Sequence, residues 1–187
     1  MAALSPGRPI RLIEATLLGA CLAFTWLLTA SGHPTPGTVD LKVMPSQSTV
    51  TVGETFTMTI VVEAGPQLVS GAQVYLDYEP GFIRVKKTPA TTPLFENLWW
   101  NEYDNLNGWI NYAADTAVKP EPSGNFTALT IQFEALVPIE ITSLSFSTNT
   151  PRKTVVTYGG VSILGSLTGG TIKVLELKKL FLPLLIR

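Results

Sequence analysis

The sequence predicts an all-β fold, a sandwich or barrel of many short strands joined by turns. Three observations predict it. Apolar and polar residues alternate with period two in one segment after another between residues 39 and 177. Gly- and Pro-containing turn signals interrupt the alternation at short intervals. No window beyond the N-terminal segment shows apolar residues at helical spacing.

Taken in order, Leu41 and Val43 face inward on a first short strand. The second, residues 55–62, is the clearest. Phe56, Met58, Ile60 and Val62 point one way and Thr55, Thr57 and Thr59 the other, as on a half-buried strand. Gly53-Glu54 and Gly65-Pro66 bound it. Ala72, Val74, Leu76 and Tyr78 face inward on a third strand. Ile83 and Val85 form a fourth after the Pro80-Gly81 turn. Ile110, Tyr112 and Ala114 form a fifth, Leu129, Ile131 and Phe133 a sixth, and Leu144 and Phe146 a seventh. Residues 155–164 form an eighth, broken at Gly159-Gly160, and Ile172 and Val174 a ninth. Residues 93–108 stand out as a longer connection rich in aromatics and amides.

The two ends differ from this pattern. Residues 1–32 read as an export signal in helical form. Arg8 and Arg11 give the positive start, residues 15–29 the apolar stretch, and Ala30, Ser31 and Gly32 the small residues of a cleavage site. An uncleaved anchor is one rival, because the stretch approaches the ~18 residues that begin to span a bilayer. Lipid attachment at Cys21 is another, because residues 18–21 (LGAC) have the form of a lipobox; the apolar run continuing through 22–28 and the interrupting Glu14 argue against it. Residues 33–38 (HPTPGT) are a linker, 39–177 the β domain, and 178–187 (KKLFLPLLIR) an apolar tail too short to span a membrane. The expected location is secreted or at the cell surface.

Composition narrows the function. Charged residues make up 14% and the formal net charge is -1, so the basic stripe of a nucleic-acid binder is missing. Cys21 is the only cysteine and His33 the only histidine. A mature chain without Cys21 forms no disulfide and offers no thiolate nucleophile or zinc ligand. No Ser-His-Asp or Cys-His set can be assembled in the β domain. Glu96, Glu102, Asp104 and Asp115 are carboxylates, but nothing in their spacing selects the pair a glycosidase needs. Residues 101–108 (NEYDNLNG) put Tyr103 where a calcium loop needs Asp and Ala114 where it needs Glu, so they read as a polar turn. The expectation is a non-enzymatic chain with no metal or cofactor of its own.

Five segments together resemble a cohesin domain, the receptor module for dockerins in cellulosome-type assemblies. Residues 48–65 (STVTVGETFTMTIVVEAG) are similar to the family's opening strand-turn-strand. Residues 71–85 (GAQVYLDYEPGFIRV) resemble its third strand and following turn, with Glu79 where Asp is usual. Residues 108–114 (GWINYAA) and 124–135 (GNFTALTIQFEA) resemble its fifth and sixth strands, and residues 169–174 (GGTIKV) its closing strand. The resemblance implies a nine-stranded antiparallel sandwich of jelly-roll topology. It also implies a dockerin-like or other extracellular protein partner docking on a sheet of the third, fifth, sixth and eighth strands, with calcium in that partner and not in this chain. A link to polysaccharide breakdown would follow.

Strand parity then selects the side chains of that sheet. Gln73, Tyr75 and Asp77 face outward on the third strand, Trp109 and Asn111 on the fifth, and Thr130, Gln132 and Glu134 on the sixth. Aromatics among amides and carboxylates are the composition of a binding face. They are equally what the wet side of any antiparallel sheet carries. The alternative function is carbohydrate binding, with Trp99, Trp100 and Tyr103 stacking on sugar rings. Adjacent strand residues point to opposite sides, so Trp99 and Trp100 share one platform only where the strand is irregular.

Overall fold

A computed structural model of the chain describes residues 38–177. The expected signal segment, the linker up to residue 37 and the tail from 178 onward lie outside the described residues. Among the described residues there is no helix. Fourteen strands follow one another: β1 (Val39–Met44), β2 (Gln47–Thr51), β3 (Thr55–Glu63), β4 (Gly71–Tyr78), β5 (Ile83–Val85), β6 (Ala90–Thr91), β7 (Asn97–Asp104), β8 (Trp109–Asp115), β9 (Asn125–Ala135), β10 (Ile139–Phe146), β11 (Val155–Tyr158), β12 (Val161–Ser162), β13 (Leu164–Thr168) and β14 (Gly170–Leu175).

They form two sheets. The first runs β13-β1-β3-β9-β5, with β6 also on β9. In the second, β4 is central. β8 lies along one edge of β4, and β7 lies beyond β8. β10 and β11 share the other edge, each pairing with a different part of β4. β14 and β2 continue outward from β10, and β12 from β11.

The core sits between the inner sides of these sheets, filled by the alternating residues. Phe56, Met58 and Ile60 pair with Phe133, Ile131 and Leu129 across β3 and β9, and all are buried. Val74, Leu76, Ile110 and Tyr112 belong to the same buried cluster from the second sheet. The rings of Phe56 and Phe133 stack at 5.7 Å, and Tyr78 meets Phe133 edge-on at 5.6 Å, which joins the sheets. Each large side chain so buried contributes roughly 1.5–3 kcal/mol.

All nine expected strands are present, and the eighth breaks at Gly159-Gly160 as expected. Three expectations need correction. Residues 93–108 are not only a connection, because β7 runs along β8 within them. The sandwich is not purely antiparallel, because β1 pairs with β13 and β2 with β14 in parallel. The sixth strand is not beside the third and fifth, because β9 pairs with β3, β5 and β6 in the first sheet.

The parallel pairs have one origin. The chain from β1 to β2 passes from the first sheet to the second around Pro45, which has no N–H to give to a ladder. The chain from β13 to β14 makes the same passage beside it, at Gly169. The two segments switch sheets together and stay hydrogen-bonded on both sides of the corner, which closes that side of the sandwich. The corner is tight: a Cβ on Gly170 would stand 2.8 Å from Met58 Cε and 2.8 Å from Val43 Cγ1.

Gly108 is a second obligatory glycine. Its φ is 71°, and a Cβ there would run into the carbonyl oxygen of Tyr78 and the ring of Pro80. Gly108→Ala is expected to lose about 2–4 kcal/mol of stability, combining left-handed backbone strain with the clash, read as a lowered urea midpoint at unchanged m-value. Tyr112 makes the opposite prediction. It is fully buried, and its hydroxyl has no hydrogen-bond partner among the described residues. Burial pushes its pKa up to about 12. The fold therefore holds this proton more tightly than the unfolded chain does. The contribution is complete below pH 10 and lost as pH climbs through about 12. Tyr112→Phe is expected to flatten that alkaline decline in denaturation measured from pH 8 to 12, and to raise stability at pH 7 by up to about 1 kcal/mol by removing an unpaired polar group.

Candidate functional site

The alternation that buries Ala72, Val74, Leu76 and Tyr78 leaves Gln73, Tyr75 and Asp77 on the outer side of β4. β8 repeats this, with Trp109 and Asn111 partly exposed between buried neighbours. Register places these residues side by side. One row across the second sheet reads Asp104, Trp109, Asp77 and Ser145. The next reads Glu102, Asn111 and Tyr75. The third reads Trp100, Ala113, Gln73 and Val155, and the fourth Asn97, Asp115, Gly71 and Thr157. Gln73, Tyr75, Asp77, Trp109 and Asn111 thus share one face.

Thr130, Gln132 and Glu134 do not share it. They lie on β9, on the outer side of the first sheet, across the core from the other five. There Glu134 is paired with Arg84 and Lys86, which hold its carboxyl below the usual range. The parity predicted for all eight residues is observed. The assumption that β9 joins β4 and β8 is what fails, since parity tells inside from outside and not one sheet from the other.

The residue that organises the face is Arg152, which the sequence reading missed. Residues 147–154 interrupt the line of strand along β4, between β10 and β11. The interruption is tied down at both ends of Tyr75. Ser147 N–H donates to the Tyr75 carbonyl at 2.8 Å. The buried Thr154 hydroxyl accepts from Tyr75 N–H and donates to its carbonyl, both at 3.1 Å. The loop so fixed lays Arg152 back over the sheet. Its guanidinium donates to Asp77 Oδ1, to Asn111 Oδ1 at 2.9 Å and to the Leu76 carbonyl at 2.9 Å. It lies 5.8 Å from the Tyr75 ring centre and 5.7 Å from that of Trp109, within cation–π range. One cation therefore gathers four predicted residues. A lone arginine in a turn-rich segment carries no periodic signal, so nothing in the sequence could single it out.

Trp99 and Trp100 form a second feature beside the first. The register of β7 slips between Leu98 and Trp100, so Trp99 is the extra residue of a bulge. This irregularity brings both indoles to one groove of about 340 Å³. Gly71 and Ala113 give it a low floor, and Val155 and Thr157 its far wall. Trp99 is 66% exposed, but its ring is fixed by a hydrogen bond from Nε1 to Asp115 Oδ2 at 2.9 Å. Asn97 Nδ2 donates to the other oxygen, Oδ1, at 2.7 Å. Tyr103 stands apart from them. It pairs with Ile110 and packs on the core.

The other polar candidates hold the chain in shape. Asp104 accepts from the backbone of Leu106 and Asn107 and from the Asn107 side chain, which keeps its carboxyl below the usual range. The Asn105 amide bonds both the N–H and the carbonyl of Val85, and accepts from the Tyr78 hydroxyl. Glu96 accepts from Ala117 N–H. Among the described residues no group of three or more His, Cys, Asp or Glu is placed to hold a metal ion.

Arg152→Ala is expected to cost about 1–2 kcal/mol, since charge-assisted hydrogen bonds are lost from a partly exposed site. Amide exchange should quicken at Ser147 and Thr154 and stay unchanged in β3 and β9, which hydrogen-exchange mass spectrometry reads directly.

No protein-family model matches the sequence, and no curated protein matches it. Solved structures do match. The third cohesin of ScaC from Acetivibrio cellulolyticus, in complex with the ScaB dockerin, is 16% identical. The match covers 73% of this chain and 99% of that one, with a TM-score of 0.60. A type I cohesin–dockerin complex from Clostridium thermocellum matches at 11% identity over 75% of this chain and 96% of that one, with a TM-score of 0.63. A non-cellulosomal cohesin from the archaeon Archaeoglobus fulgidus matches at 13% identity over 74% and 90%, with a TM-score of 0.54. Sequence identity this low speaks for architecture alone, and the architecture is that of cohesins: a jelly-roll sandwich with the cohesin fold.

Proposed function

We propose that the chain is a non-enzymatic binding module that takes a dockerin-type protein on the outer face of β4, β8 and β11. One observation carries this reading: Tyr75, Asp77, Trp109 and Asn111 gather around Arg152 on one exposed sheet face, with Gln73 on the same face in the next row. Aromatic side chains and an arginine are the groups that dominate binding energy at protein interfaces. Their mutual bonds restrict them before a partner arrives, which lowers the cost of ordering them on binding. The likeness to cohesins solved with dockerins supports the class of partner. Calcium belongs to that partner in this reading, and this chain carries no cofactor.

The setting is extracellular. Residues 1–32 would direct export, residues 33–38 would space the module from whatever precedes it, and residues 178–187 would extend beyond it. Recruitment of polysaccharide-degrading enzymes is the activity that such a module would serve.

The test is capture of calcium-loaded dockerin domains on the immobilised protein. Retention should vanish on chelation and weaken about tenfold or more in Tyr75→Ala, the expected size for a hot-spot aromatic. Gln132→Ala, on the other sheet, should leave it unchanged. Absence of retention for every dockerin, or a loss caused by Gln132→Ala in place of Tyr75→Ala, overturns the proposal.

A further inference from the structure

We infer that the groove between Trp99, Trp100 and Asp115 is a second recognition site on the same face, built for a lysine or arginine side chain of the partner. The inference rests on the partner-binding reading and specifies the partner's chemistry. The outer face repeats one arrangement twice. At one end Tyr75 and Trp109 supply aromatic rings, Asp77 a carboxylate and Asn111 an amide, and the chain's own Arg152 occupies their centre. At the other end Trp99 and Trp100 supply the rings, Asp115 the carboxylate and Gln73 the amide, around a groove of about 340 Å³. Among the described residues, no basic side chain lines that groove.

The charge of Asp115 decides among occupants. Both of its oxygens are held by neutral N–H donors, from Asn97 and Trp99. None of the described ion pairs includes it. An aliphatic side chain pressed onto the indoles would desolvate this charge with nothing to offset it, which is costly. A cation meets all three groups at once. Its charge faces the carboxylate and the negative π-faces of the indoles, while its methylene stem covers Ala113 and Val155. Gly71 and Ala113 leave the depth that such a stem needs. The hydrogen bond from Trp99 to Asp115 fixes ring and charge relative to each other, so little is lost in ordering them. A sugar ring would also satisfy the carboxylate through hydroxyls, but it would leave the charge uncompensated.

The test needs no natural partner. Nα-acetyl-lysine amide and Nα-acetyl-arginine amide are titrated into the protein while the indole N–H resonances of Trp99 and Trp100 are followed by NMR. Nα-acetyl-norleucine amide and cellohexaose serve as the neutral and sugar arms. Saturable shifts are expected with the two cations, weakened by salt, and none with norleucine amide at equal concentration. Asp115→Asn keeps an acceptor for Trp99 and should weaken cation binding by up to about fivefold, with an unchanged unfolding midpoint showing that the fold is intact. Gln73→Lys, which brings a tethered ammonium to the groove, should suppress the response with Asp115 in place. Equal shifts with norleucine amide, shifts with cellohexaose alone, no shift with either cation, or full cation binding by Asp115→Asn each overturn the inference. Dockerin capture separates the two readings. Capture that Tyr75→Ala weakens and Asp115→Asn leaves untouched sinks the basic-side-chain site and keeps the face. Cation binding without any capture keeps the groove and sinks the face.

Discussion

A strand in a two-layer fold can bury only every second side chain, and β4 is where this constraint has the most consequences. Ala72, Val74, Leu76 and Tyr78 must enter the core, because the apolar inner sides of β3 and β9 have nothing else to pack on. Gln73, Tyr75 and Asp77 are thereby forced outward. β8 is locked to β4 over its whole length, from Gly71 opposite Asp115 to Asp77 opposite Trp109. The positions of Trp109, Asn111 and Ala113 are then no longer free. The exposed face is set by the hydrophobic core beneath it, so a one-residue slip would invert core and face together.

The same constraint explains how irregular parts could be added at low cost. β4 needs a partner along its second edge, but β10 and β11 each supply only part of one. The gap at Tyr75 would leave its backbone groups unpaired at the middle of a sheet. Thr154 fills it with one hydroxyl that both donates and accepts, and Ser147 N–H adds a second bond to the carbonyl, so the ladder survives the interruption. The loop between the two strands is free to carry Arg152 across the face. A similar economy holds at the corner, where β1–β2 and β13–β14 change sheets side by side and keep their hydrogen bonds to each other.

This division marks what could be read from sequence. Residues 55–62 and 71–78 were legible because one side is fully buried and the other is wet, so the pattern is strict. β7 was not, because it lies at an edge and most of its length is exposed on both sides. Such a strand has no alternation to display. The parallel partners β2 and β13 are short and carry few buried residues, so they too lack a pattern. The placement of Thr130, Gln132 and Glu134 failed for another reason. Alternation reports burial, and both sheets bury in the same way. Only pairing distinguishes them, and pairing depends on contacts far apart in the chain. The face around Tyr75 was visible in outline, but its centre at Arg152 depends on a loop whose course is set by Thr154 and Ser147 reaching a distant strand.

The bulge at Trp99 joins these themes. Among the described residues β7 pairs with β8 alone and so presents an edge, which natural sheets disrupt to discourage pairing with other chains. A bulge does that by breaking the regular row of donors and acceptors. Here it also rotates an indole out of strict alternation, which is the only way two successive tryptophans can meet in one groove. Such a wall would be loose if nothing else held it, since an edge strand has half the backbone support of a central one. Asp115 supplies the missing support, gripping Asn97 on one oxygen and Trp99 on the other. It projects from β8, which is fixed to the core through Ile110, Tyr112 and Ala114. The rigidity of the groove is therefore borrowed from the hydrophobic interior through a single carboxylate, and the group that steadies the aromatic wall is the one that gives the groove its charge.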